Sequence, residues 1–281
     1  MSEHFRAFSF VDRIHSIQPG ARIRGSYTIP PSLPDFPPSL VAEAVGQLAA
    51  WAAMAAVDFQ CRPVAGIAAE IHLLSPVRPG QLLELAADLE SVDNEAVSYD
   101  GTAHADGVPV IRLQHCVGPM LPLETFDDPQ KLRDRFALLQ AAGATPGAFG
   151  GLPPLPLLIH SSDAIGQTLR ATLHVPPSAP FFGDHFPRRP AFPGALLMKS
   201  NLELAASLAE HLPQPATGGK WVPQAASDMK LRSFTLPGET LEMKASLSRI
   251  SSNEAIINVE TRKGAQLAGS VRVLLSAEEK P

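Results

Sequence analysis

Charged side chains are scarce in this sequence. Asp, Glu, Lys and Arg make up 18% of 281 residues against 45% apolar ones, a balance that excludes a disordered or polyelectrolyte chain and calls for a large buried interior. Positive charge is not in excess either. Lys and Arg number 23 against 28 Asp and Glu, with no long basic run, which argues against nucleic acid as a partner. The two cysteines, Cys61 and Cys116, are too few for a disulfide framework or a zinc knuckle. A reduced, cytoplasmic setting is expected. The start, MSEHFRAFSF, lacks the basic and then apolar pattern of a secretory signal. The most apolar stretch, 40–59, holds Glu43, Gly46, Gln47 and Asp58, which are costly in lipid, so it reads as a helix buried in protein and no membrane is expected as a partner. No Gly-rich phosphate loop and no G-x-S-x-G occurs. His72, His160, His174 and His211 show no ligand spacing, so no metal is expected.

Proline and glycine, 28 and 20 in number, are plentiful, and they cluster at 30–38, 143–156 and 175–194 as stiff, irregular connections. The chain also repeats itself. IRGSYTIPPSLP at 23–34 resembles LRATLHVPPSAP at 169–180, an offset of 146, and SPVRPGQLLELAADL at 75–89 resembles SFTLPGETLEMKASL at 233–247, an offset of 158. Between these anchors, the helical stretches from Pro37 and Pro193 align at an offset of 156. Ten of the twelve extra residues therefore fall just before the second helix, in FGDHFPRRPA. The second half carries a histidine loop that the first half lacks.

Each half has the same order: a short strand, a Pro-rich turn, an apolar helix, then alternating segments. LLELAADLESV, AVSYDGTAHA and VPVIRLQHCV in the first half, and TLEMKASLSRI, AIINVETRK and LAGSVRVLLS in the second, have the period of two of strands with one buried face. An antiparallel sheet with one long helix on its inner face is the economical packing, an α+β unit present twice. Between the halves, 128–143 has helix signals: Asp127 or Asp128 before Pro129 and Gly143 after the last turn. A flexible Pro/Gly passage is expected after it. The expected organisation is one domain over 1–125, a linker helix and connection over 126–153, and a second domain over 154–281.

At the second helix the sequence reads GDHFPRRPAFPGALLMKSNLELA. It resembles the signature of the 3-hydroxyacyl-[acyl-carrier-protein] dehydratases of the FabZ and FabA type, G-H-F-P-x-x-P-x-x-P-G followed by a helix. The resemblance implies the hotdog fold, a helix wrapped by an antiparallel sheet, here as a double hotdog in one chain. In that family the helix carries an acid fourteen positions after the histidine, but position 199 is Lys. The aligned helix of the first half, PSLVAEAVGQ, has Glu43 at that place and Gln47 one turn later. Family members pair two hotdog units with active sites at the interface. The resemblance therefore implies one composite site, His185 with Glu43, and a second, dead site with Lys199 and no histidine loop. A symmetric homodimer cannot be divided in this way, because its two interface halves are identical.

Removing water from a 3-hydroxyacyl thioester needs a base for the α proton and an acid for the departing hydroxyl. His185 suits the base, with an ordinary pKa of about 6.5. Burial of Glu43 among Val41, Ala44 and Ala50 would raise its pKa and favour the acid form; a structural, hydrogen-bonded role for it stays open, and no basic partner for it is evident. Gly194, nine positions after His185, offers a backbone N–H and a helix N-terminus to the thioester oxygen. Pro193 and Phe186 complete that candidate substrate-binding set. Gln47 either joins it or ties two backbone segments together. Asp184 is expected to hydrogen-bond within the loop, and Lys199 to pair with Glu203. Arg188 and Arg189 are candidates for docking an acidic carrier protein or the phosphate of phosphopantetheine. His115 and Cys116 are strand neighbours pointing to opposite faces, which argues against a nucleophilic pair, and Trp51 and Met54 read as core.

The expected activity is dehydration of a 3-hydroxyacyl thioester, on acyl carrier protein or CoA, in a fatty-acid or polyketide-type pathway. No cofactor is needed, since phosphopantetheine arrives with the substrate. The alternatives are a hotdog acyl thioesterase and a catalytically silent acyl-binding or scaffold subunit. A homodimer of such chains is compatible with the sequence.

Overall fold

The computed structural model describes residues 4–162, 166–216 and 218–278. The first unit contains β1 (Arg13–Gln18), β2 (Arg22–Thr28), α1 (Pro38–Ala56), β3 (Cys61–Pro63), β4 (Ile67–Leu73), β5 (Leu82–Val92), β6 (Ala96–Ala105) and β7 (Val108–Pro122). After α2 (Pro129–Gln140), the second unit contains β8 (Leu157–Ser162), β9 (Thr168–His174), α3 (Gly194–Ala209), β10 (Trp221–Leu231), β11 (Thr240–Ile250), β12 (Glu254–Lys263) and β13 (Gln266–Ala277).

Alternation in the sequence becomes a buried face. Leu83, Leu85, Ala87 and Leu89 of β5 point inward, as do Leu241, Met243 and Ala245 of β11 and Ala255, Ile257 and Val259 of β12. Against these faces lie α1 and α3. Eleven of the 19 residues of α1 are buried. The helix is long and apolar enough to cross a membrane, but here the sheet wraps it, which is the burial expected from its polar residues. A fully buried Leu or Val contributes about 1.5–3 kcal/mol, so Leu40, Val41, Val45 and Leu48 bind the helix firmly to the sheet.

One antiparallel sheet runs β1-β2-β5-β6-β7-β4-β10-β13-β12-β11-β9-β8, with β3 added to β7. The order in one unit is mirrored in the other, and the units meet where β4 pairs with β10. The paired stretches, 67–72 and 225–230, are the same segment of the repeat at the offset of 158. The seam is thus centred on a pseudo-twofold axis, and α1 and α3 touch across it. This is the double hotdog that the sequence resemblance implies.

Asp128 caps α2, accepting hydrogen bonds from the N–H groups of Gln130 and Lys131. Gly143, with φ of +80°, closes its end by donating to Leu138 O. The passage after α2 differs from expectation. Phe149 is buried and packs edge-on against Phe10 and Phe36, so this stretch is pinned to the first unit rather than free.

Gly101 of β6 is where the sheet comes closest to α1: a Cβ there would lie 2.3 Å from Val45 Cγ1, a stiff β-branched side chain on a buried face. Gly101→Ala is expected to cost about 1–3 kcal/mol by overpacking, measured by urea unfolding. Gly150→Ala, where a Cβ meets nothing within 4 Å, should stay within about 0.5 kcal/mol of the parent.

Candidate active site

His185 lies in the loop before α3, Glu43 on α1. Both line one cavity of about 210 Å³, so residues 142 positions apart in sequence share an enclosure. Phe186, Gly194, Gln47, Arg62, Tyr99 and Asp184 contribute to the same wall. Trp51 and Met54 are buried, as expected of core residues, and also line the cavity.

The His185 loop is held at several points. Its backbone N–H donates to Phe181 O at 2.8 Å, and its carbonyl accepts from Ala191 N–H at 3.0 Å. The His185–Phe186 peptide is cis, and the two rings stack with centroids 4.0 Å apart. The His185 Nδ1 lies 2.9 Å from Ala191 O. A carbonyl oxygen only accepts, so Nδ1 carries the proton and Nε2 of the neutral ring carries a free lone pair. Burial, opposed by the hydrogen bond to Ala191 and aided by the Arg62 cation, brings the imidazole pKa down to about 4. The ring is therefore neutral at pH 7.

Glu43 experiences the converse. Burial raises its carboxyl pKa, while the Gln47 hydrogen bond and the Arg62 cation act to lower it. Gln47 Nε2 donates to Glu43 Oε1 at 3.0 Å and to Phe8 O at 2.9 Å, and Gln47 Oε1 accepts from Phe10 N–H at 2.8 Å. Both side-chain N–H groups are committed. Gln47 thus ties a single backbone segment, 8–10, to Glu43 rather than joining two backbone segments, and it also lines the cavity.

Asp184 does hydrogen-bond, but not within its loop: its carboxylate accepts from the backbone N–H groups of Phe5, Ala7 and Phe8. The N-terminal segment is thus stitched to the histidine loop by Asp184 and to α1 by Gln47. Phe8 stands edge-on to His185, with centroids 5.9 Å apart. The sequence carries no periodic signal for this strap.

Pro193 is the residue before α3, no side chain caps that helix, and Gly194 at its start lines the cavity. A Cβ at position 194 would lie 2.5 Å from Leu231 Cδ1. Arg188 already has partners within the chain, Asp128 at 3.3 Å and Glu124 O at 3.0 Å. Arg189 lies over the rings of Phe126 and Phe234. His115 is exposed and Cys116 buried at the cavity. Lys199 pairs with Glu203 and is absent from the cavity wall. Among the described residues, no three His, Cys, Asp or Glu side chains converge as metal ligands.

The missed residue is Arg62 on β3. Glu43 has a basic neighbour after all, because β3 pairs with β7, setting Arg62 opposite Leu121, and so returns the chain to the cavity. The guanidinium lies 3.9 Å over the Phe186 ring and 3.9 Å from Asp127. A lone arginine between Cys61 and Pro63, just past an apolar helix, is the only signal the sequence offers.

A curated 3-hydroxyacyl-[acyl-carrier-protein] dehydratase FabZ from Streptococcus pneumoniae is 30% identical over 118 residues, 42% of this chain and 83% of that protein. The chain belongs to the hotdog-fold dehydratase family. Residues 161–270 of this hotdog protein also match the ApeI-like family, described as ApeI dehydratase. Its fold resembles that of a 12:0-ACP thioesterase from Umbellularia californica, with a TM-score of 0.56 at 9% identity, covering 92% of this chain and 94% of that one. An acyl-CoA thioesterase II from Mycobacterium marinum gives 0.53 at 11% identity, covering 96% of each. Those two likenesses show the fold shared by dehydratases and thioesterases.

The strap gives a test. Asp184→Ala removes the acceptor of several part-buried N–H groups and is expected to cost about 1–3 kcal/mol. Hydrogen exchange at the amides of Ala7 and Phe8 should accelerate, while amides of α1 stay protected.

Proposed function

We infer that this protein dehydrates a 3-hydroxyacyl thioester to the 2-enoyl thioester, with His185 as base and Glu43 as acid. The observation that carries the reading is the shared cavity, lined by a neutral imidazole from one unit and a carboxyl group whose burial favours the protonated form from the other. These are the protonation states that the reaction requires at its start. His185 Nε2 takes the α proton, and the electron pair of the broken C–H bond moves toward the thioester carbonyl. The oxyanion is met by N–H groups at the start of α3, where one such donor contributes on the order of 2.7–4 kcal/mol. The pair then forms the double bond as the β C–O bond breaks, and Glu43 gives its proton to the leaving hydroxyl, which departs as water. Proton transfer back from imidazolium to carboxylate resets the site.

The apolar wall formed by Trp51, Met54 and Met198 suits the acyl chain. The substrate is carried by acyl carrier protein or CoA, phosphopantetheine arrives with it, and no cofactor of the protein's own takes part. Fatty-acid or polyketide-type synthesis is the setting, in the cytoplasm.

Incubation with 3-hydroxyacyl and saturated acyl thioesters side by side tests the reading: enoyl absorbance should rise from the first, with no free thiol from either. Thiol release alone would identify a thioesterase instead, and neither product a silent acyl-binding subunit. His185→Ala and Glu43→Gln should each lower kcat by about 10²–10⁴, with Tm almost unchanged.

The pH profile of kcat/KM should be bell-shaped. Its acid limb belongs to His185, which loses base function as it protonates near pH 4, below the ordinary histidine value of about 6.5. Its alkaline limb belongs to Glu43, which loses acid function as it ionises, above the ordinary glutamate range. In Glu43→Gln the alkaline limb should disappear from the residual activity.

A further inference from the structure

Arg62 is a largely buried cation, its side chain 14% exposed, without a good structural reason to be so enclosed. Among the described residues its one close ion pair, to Asp127, is 3.9 Å long, and that carboxylate is shared with His4 Nε2 at 3.1 Å and the Asp128 N–H at 2.7 Å. A guanidinium kept for stability would be expected in a short, forked pair, since burying a charge costs more than a loose partner returns. Arg62 Nε has no hydrogen-bond partner among the described residues. Its guanidinium carbon lies 3.9 Å from the centre of the Phe186 ring, and the side chain lines the cavity that holds Glu43 and His185.

We propose that Arg62 is the fixed cation of the composite site, a positioning residue that receives the carboxylate charge Glu43 acquires on giving its proton to the departing hydroxyl. The inference rests on the dehydratase reading above. At the start of the cycle the acid and base are both neutral; after C–O cleavage the acid is an anion and the base a cation. A fixed positive charge favours the first change and opposes the second, so it keeps His185 deprotonated until substrate is bound and then holds Glu43 ionised. Phe186 beside the histidine makes this arrangement part of the same loop that brings the base.

Other ionisable groups facing Arg62 define what the test must separate. Asp127 and His4 stand on its outer side. Tyr99 of β6 and Cys116 of β7 lie across the cavity; burial holds both protonated, the thiol at about 12. Asp184 is tied to backbone N–H groups and faces Arg135.

Arg62→Met keeps the stem and removes the charge. In kcat its effects on the two groups oppose one another, easing formation of the imidazolium and hindering formation of the carboxylate, so the charge is read in the pH profile. Both limbs of the pH profile should move upward, since loss of a cation raises the pKa of imidazole and carboxyl group alike. Arg62→Lys should return both limbs most of the way. NMR titration of labelled His185 reads the coupling without turnover: its midpoint rises in Arg62→Met and is restored in Arg62→Lys. If Arg62→Met alone unfolds, Arg62→Met with Asp127→Asn removes both charges and carries the same expectation. Wild-type turnover with unmoved limbs and an unmoved His185 midpoint in the folded variant would overturn the proposal, leaving Arg62 a packing residue. Wild-type protein that forms no enoyl product would overturn the dehydratase reading and the proposal's catalytic part with it, whereas a shifted His185 midpoint there would still establish the charge coupling.

Discussion

Burial is what displaces the ionisation of His185 and Glu43 in opposite directions, each toward its uncharged form. The enclosure forms where the two units meet. Pairing of β4 with β10 sets the start of α3, with the loop before it, beside the carboxyl-bearing turn of α1. The perturbed ionisation of both side chains follows from that placement, since burial is the leading cause in each.

The repeat also shows what happens at the place related by the pseudo-twofold. Positions 43 and 47 of α1 correspond to 199 and 203 of α3 at the offset of 156. An acid–amide pair in the cavity is replaced by a Lys–Glu pair at a more open surface, where the side chains are 24% and 46% exposed. Such a pair costs little to keep and contributes little to stability. The first unit, for its part, passes from its Pro-rich turn into α1 without the inserted loop. Each unit thus contributes a different one of the two side chains that share the cavity, a division open to a fused chain and closed to a symmetric pair of identical ones.

Most of the fold was legible because its elements obey simple periods. β5 and β11 span the stretches whose alternation marks them as strands, and α2 begins at the aspartate that the Asp-Pro signal points to. What could not be read depends on contacts between distant segments. β4 has the irregular burial of a strand at a junction, so its alternation is poor. Arg62 carries no spacing signal, because its relation to Glu43 and His185 comes from β3 folding back along β7. Strap residues 5–10 looked like an ordinary terminus, although Phe8 and Phe10 are almost fully buried. His185 and Glu43 stand out for another reason: the inserted loop resembles the dehydratase signature, and the repeat then aligns Glu43 with the position, Lys199, where that resemblance leads one to expect an acid.

The strap bears on the order in which the molecule is made. Phe5 and Asp184, which hydrogen-bond, are 179 positions apart, and a growing polypeptide folds its first unit before its last. Residues 5–8 therefore wait, with Phe8 lacking its partners Phe181 and His185, until the histidine loop has been translated. Their docking on that loop is a late act of assembly, so the cavity wall is completed only after both units exist.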